Sequence, residues 1–163
     1  MFNFQSLKVN LHYAMKKLQY EIQIDAPVAR AYKTMLNIET YKIWTSEFGP
    51  SSRYEGSWDE GSKILFLADD EHGKVQGMVS RIRVNNPNEF ISIEHLGIVE
   101  DGIEKDADEK NNSFSGALEE YTFIQNGNGT LLKVSIDTLT EWEKFFDDAW
   151  PRALFKLKTL AED

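Results

Sequence analysis

The sequence predicts an α+β domain in which a curved antiparallel sheet wraps around one long C-terminal helix. Three observations carry this. A clean alternating strand is followed at once by two short helical segments. Runs of β-branched and aromatic residues, broken by tight-turn clusters, then fill the chain from residue 52 to 139. The last 24 residues are striped with apolar side chains at helical spacing. A sheet and a helix with one apolar face each bury both by packing together.

The elements follow in order. From Met15 to Ile24, Leu18, Tyr20, Ile22 and Ile24 fall on one face, with Lys17, Gln19, Glu21 and Gln23 on the other. That period of two marks a half-buried strand. Asp25-Ala26-Pro27 opens a helix, because proline is tolerated in the first turn and an acid suits the positive end of the dipole. Val28, Ala31, Tyr32 and Met35 form its buried stripe. Asn37 is placed to cap a second short helix carrying Ile38, Tyr41 and Trp44. Gly49-Pro50-Ser51-Ser52 ends the pair.

Strand-like runs follow near 52–58, 62–68, 75–84, 89–99, 115–125 and 130–139. Between them stand Asp59-Glu60-Gly61, Asp69 to Gly73, Asn85 to Asn88 and Asn126 to Gly129, all rich in residues that accept tight turns. Connections this short join antiparallel neighbours. Only 100–114 reads as a long connection. In the last segment, Thr140-Glu141-Trp142-Glu143 has the form of a capping box. Pro151 lies deep in the helical pattern and predicts a kink.

A chain of 163 residues fits one domain. The expected division is an N-terminal extension over 1–14 and the domain proper over 15–163. Gln5, Ser6, Lys8, Asn10 and His12 interrupt any apolar signal core, and no run is long enough to span a bilayer, so a cytoplasmic location and no membrane insertion are expected. The formal charge is −9. It argues against nucleic acid, whose affinity comes from Lys and Arg on phosphate. Residues 1–90 hold 11 acids and 11 bases, whereas 91–163 hold 16 acids and 7 bases. The excess acid is expected on the exterior, leaving a nearly uncharged interior. Zero cysteines exclude disulfides and thiolate chemistry.

The order of these elements resembles the SRPBCC, or START-like, helix-grip superfamily, and within it the branch of activator of heat-shock protein 90 ATPase homologues. The stretches that carry it are Ile24-Asp25-Ala26-Pro27, Tyr41-Lys42-Ile43-Trp44, Trp58 to Lys63, Gly129-Thr130, and Phe146-Asp147-Asp148-Ala149-Trp150-Pro151. The resemblance covers about residues 15–162 and implies a cavity between the sheet and the last helix. It also implies an uncharacterised small-molecule binding protein as the first reading, the partner being an apolar or amphipathic molecule, lipid-like or polyketide-like. The alternatives are a polyketide cyclase or aromatase, or a chaperone-activator-like interaction module with an unknown protein partner. The resemblance implies no cofactor, and a binding protein sooner than an enzyme.

Aromatic residues are the candidate pocket lining: Trp44, Phe48, Tyr54, Trp58 and Phe66 around the mouth, and Trp142, Phe146 and Trp150 from the helix. Packed core is the competing role for each. Among strand carboxylates, Glu119 and Glu120 are consecutive, so one must face the concave side. Asp137 is expected outside, beside Lys133 and Ser135, whereas the cyclase alternative calls for Glu94, Glu120 or His95 in the pocket. His12, His72 and His95 are not spaced as metal ligands; only His95 is placed for cavity chemistry. No catalytic set and no metal site is predicted. Glu100, Asp101, Glu104, Asp106, Asp108 and Glu109 lack the ligand pattern of a calcium loop and read as a solvated loop. Arg81 and Arg83 read as neutralising neighbouring acids.

Overall fold

The computed structural model describes residues 15–106 and 114–163. Strand β1 (Met15–Ile24) leads into helices α1 (Val28–Leu36) and α2 (Ile38–Trp44), then a 3-10 turn over Thr45–Glu47. Strands β2 (Arg53–Gly56), β3 (Lys63–Asp69), β4 (Val75–Asn86), β5 (Phe90–Glu100), β6 (Ile103–Asp106), β7 (Leu118–Asn126) and β8 (Gly129–Leu139) follow. A second 3-10 turn, Thr140–Trp142, precedes helix α3 (Glu143–Glu162).

Every strand pairing is antiparallel, and the path across the sheet runs β1-β8-β7-β5-β4-β3-β2. Pairing β1 with β8 brings the ends of the domain together: Met15 lies opposite Leu139 and Ile24 opposite Thr130. Two register shifts between β4 and β5, at Val79/Ser80 and Ile82/Val84, add local bend and twist where the sheet must curve. Glycine is required on β4, where a Cβ at Gly77 would sit 2.0 Å from the Phe66 carbonyl oxygen.

The concave face carries the alternating residues read from the sequence. Leu18 and Ile24 of β1, Ile64 of β3, Ile82 of β4, Ile91 and Ile93 of β5, and Leu132 and Val134 of β8 are buried. Against them α3 presents Ala149, Trp150, Ala153, Leu154, Leu157 and Ala161. Asn37 caps α2 as its side chain predicts, accepting a 2.9 Å bond from the Glu39 amide.

Two local expectations are corrected. The connection after residue 100 is in part a hairpin. Asp101 and Gly102 adopt positive φ (52° and 77°), and β6 folds back on the far half of β5. Three of its acids are engaged: Glu100 with Lys105, Asp101 with Lys74 and Glu104 with Lys63. Asp108 and Glu109 lie outside the described residues, as does the proposed extension over 1–14. The capping box does not form. The Glu143 amide bonds to the Thr140 backbone carbonyl within the 3-10 turn, and the Glu143 carboxylate pairs with Lys16. Pro151 lies within α3, which runs through it as one 20-residue helix. The proline is exposed, where water can reach the backbone carbonyl it leaves unpaired.

Candidate functional site

The gap between the sheet and α3 is not uniformly filled. Around the C-terminal half of the helix, Ala153, Leu154, Leu157 and Ala161 pack against the sheet at 0–2% exposure. Around the N-terminal half a cavity of about 240 Å³ remains. Its walls come from α2 and the 3-10 turn after it, from β3, β4, β5, β7 and β8, and from Trp142, Phe146 and Trp150.

Six of the eight aromatics singled out in the sequence meet there: Trp44, Phe48, Phe66, Trp142, Phe146 and Trp150. Phe48 stacks edge-on against Trp150, with ring centroids 4.9 Å apart, and faces Phe146 at 6.4 Å. Trp44 is fixed by its indole N–H, which donates 3.0 Å to the Met35 carbonyl. Large rings that meet edge to face hold walls apart that small aliphatic residues would let close.

Tyr54 and Trp58 stand outside the lining. Tyr54 donates its hydroxyl 2.7 Å to the Leu36 carbonyl and packs edge-on against Tyr41. Trp58 leans on Tyr54 and Phe66, so its position beside a turn does not expose it. Both support Tyr41, which does line the cavity and which the pocket reading of the sequence passed over.

One wall is polar. His95 of β5 and Glu119 of β7 face the cavity with Tyr121. The Ser80 hydroxyl lies 2.8 Å from His95 Nδ1, and His95 Nε2 lies 3.2 Å from Glu119 Oε2. Tyr121 donates its hydroxyl to Glu119 Oε1. An ionised carboxylate only accepts, so His95 donates from Nε2 to Glu119, while the Ser80 hydroxyl can donate to or accept from Nδ1. Burial, then the nearby Glu119 charge, raises the Tyr41 and Tyr121 phenols well above their ordinary value, so both remain protonated donors. The chain Ser80–His95–Glu119–Tyr121 can thus hold a ligand's polar group or pass a proton to it.

Of the consecutive pair, Glu119 turns inward. Glu120 takes the other face, with Ser92 at 3.0 Å and Arg83 at 3.9 Å. Glu94 is likewise bound outside, to Arg81 at 2.7 Å. Asp137 reaches the rim of the cavity while pairing with Lys17 at 2.8 Å and accepting the Leu118 amide. The expected uncharged pocket is therefore corrected. Glu119, Asp69, Asp70 and Asp137 all contribute to its lining, and among the described residues no Lys or Arg does. The signal was present in the alternation, since Glu119 shares parity with buried Tyr121 and Phe123. Among the described residues no three His, Asp or Glu side chains gather as a metal site.

A sheet curved around a C-terminal helix, with two short helices between the first two strands and a cavity between the layers, decides the architecture. The fold is the helix-grip fold. It superposes on the solution structure of the Aha1 dimer from Colwellia psychrerythraea with a TM-score of 0.64 at 17% identity, covering 90% of this chain and 96% of that one. A protein from Mesorhizobium loti gives 0.65 at 14% identity, over 89% and 96% of the two chains. An uncharacterised protein from Rhizobium leguminosarum gives 0.63 at 15%, over 91% and 95%. No protein-family model and no curated protein matches the chain. The resemblance read from residues 15–162 thus holds for the helix-grip architecture. No helix among the described residues is long and apolar enough to cross a membrane.

Proposed function

We propose that this domain binds a small, largely apolar molecule between the N-terminal half of α3 and the sheet. The observation that supports it is the cavity of about 240 Å³, walled by aromatic rings from three layers of chain and bearing a few convergent polar groups along one side. An apolar cavity of about 150 Å³ is enough to hold benzene. The larger volume here suits a bicyclic ring system or a short acyl chain.

The test is binding to the full chain, read by quenching of tryptophan fluorescence and by thermal shift. 2-Naphthalenemethanol and 1-decanol are the probes. Binding of either alcohol with a rise in melting temperature is expected. No response to either alcohol would remove the proposal.

The Ser80–His95–Glu119–Tyr121 chain favours a second reading, a proton-transfer enzyme of the cyclase type in which Glu119 and His95 exchange protons with a bound substrate. Turnover of a polyketide analogue that is abolished by Glu119→Gln would support it.

A further inference from the structure

The cavity is apolar in bulk but one-sided in charge, and that asymmetry bears on which apolar molecules it accepts. Four carboxylates contribute to the lining, and among the described residues no Lys or Arg opposes them there. Three of the four are already satisfied. Asp69 pairs with Arg53 at 3.1 Å, and Asp137 with Lys17 at 2.8 Å. Asp70 accepts the amides of His72 and Lys74, at 2.9 Å each, and the side chain of Gln76.

Glu119 differs. Its partners are the Tyr121 hydroxyl and His95, and neither brings a fixed positive charge. Those two bonds occupy about two of the four lone-pair positions that a carboxylate offers. The side chain keeps 22% of its surface accessible. Nearby stand the largely buried Tyr41 and the indole N–H of Trp150, which is buried with no hydrogen-bond partner among the described residues. Around these groups stand the π-faces of Trp44, Phe48, Phe66 and Trp150.

An anionic ligand brought into this space would meet a carboxylate with no cation to offset it. A protonated amine would gain Glu119 as counter-ion and the negative faces of the rings, whereas the Tyr41 phenol can bond either kind of ligand. We infer that the cavity selects an aromatic or short aliphatic ligand carrying a basic amine, held by Glu119, and discriminates against carboxylic acids. The inference rests on the binding reading above and narrows it to one ligand class.

Three probes with one ring system separate the two claims: 2-naphthylmethylamine, 2-naphthalenemethanol and 2-naphthoic acid, titrated into the full chain at neutral pH by calorimetry. The amine is expected to bind about tenfold more tightly than the alcohol, and the acid about tenfold more weakly. Glu119→Gln removes the charge and keeps one oxygen that can accept from Tyr121 or from His95, with an amide NH2 in place of the other carboxylate oxygen. It should bring the amine to the level of the alcohol, with circular dichroism and a retained cooperative melting transition showing that the variant is folded. If the alcohol binds and the amine gains nothing over it, or the gain survives Glu119→Gln, the amine inference is overturned while the cavity reading stands. If neither binds, both fall.

Discussion

The two halves of α3 face the same sheet and do opposite things with it. From Ala153 onward the helix offers alanines and leucines that pack down to full burial: Ala153, Leu157 and Ala161 are all at 0% exposure. Nearer its start it offers the wide rings of Phe146 and Trp150, which meet Phe48 and Tyr121 edge to face or tilted and leave space between them. Small and branched side chains close a gap; rigid planar ones brace it. Stability is therefore concentrated at one end of the helix and ligand access at the other.

The sharpest way to break that division is a pair of truncations. Leu157→Ala should cost about 3 kcal/mol, because the site is fully enclosed and cannot collapse. It should leave the affinity for 2-naphthalenemethanol unchanged. Phe146→Ala removes a half-buried ring that already borders empty space, so its cost should be about half as large. Its effect should appear in binding, as loss of affinity for the bicyclic alcohol and tolerance of bulkier ones. Urea denaturation and fluorescence titration of both variants read the two effects separately. Equal effects of both variants on binding would dissolve the distinction.

A smaller effect is expected in alkali. The phenols of Tyr41 and Tyr121 titrate above their ordinary value because burial, and then Glu119, disfavour the phenolate. In the unfolded chain they would lose their protons at about pH 10. Their contribution to stability is complete below that pH and declines as the pH rises towards the folded values. Absorbance of phenolate against pH, followed beside circular dichroism, should show these two tyrosines ionising only as the fold is lost. Full ionisation of all tyrosines in a still-folded protein would contradict their burial beside Glu119.

The smallest effect belongs to the outer side of the hollow half. Lys156 and Arg152 of α3 bind Glu47, each at 2.9 Å, and hold its carboxyl below the usual range, which ties the turn after α2 to the helix. A depressed carboxylate contributes stability above its unfolded titration range and loses it as pH falls through the folded value. The bridge is near the surface and screened, so Glu47→Gln should cost under about 1 kcal/mol and less at high salt. A salt-independent loss in melting temperature would point to packing by Glu47 instead.

Much of the fold was legible in the residues because its signals are local. The period of two in β1, the cap at Asn37, the glycine- and asparagine-rich turns and the apolar stripe of α3 each depend on neighbours within a few positions. Local logic failed where longer-range bonds competed. The Asp101-Gly102 hairpin lay in a segment whose acids suggested a solvated loop, yet Lys63, Lys74 and Lys105 engage three of those acids. The Thr140 hydroxyl lost its capping role to its own carbonyl.

For the site, the sequence by itself determined that aromatics from α2, β3 and α3 would face one interior, since their parity and helical phase point them there. It also fixed that one of Glu119 and Glu120 turns inward. Only the tertiary structure decided that Tyr54 and Trp58 buttress Tyr41 and leave the lining to others. The same is true of His95 meeting Glu119 across two strands that are neighbours in the sheet but 24 positions apart. The net charge of −9 counted acids without locating them. Folding placed Glu120 and Glu94 beside arginines and Glu119 between a phenol and an imidazole, because strand register places residues by what lies opposite them and no composition records that.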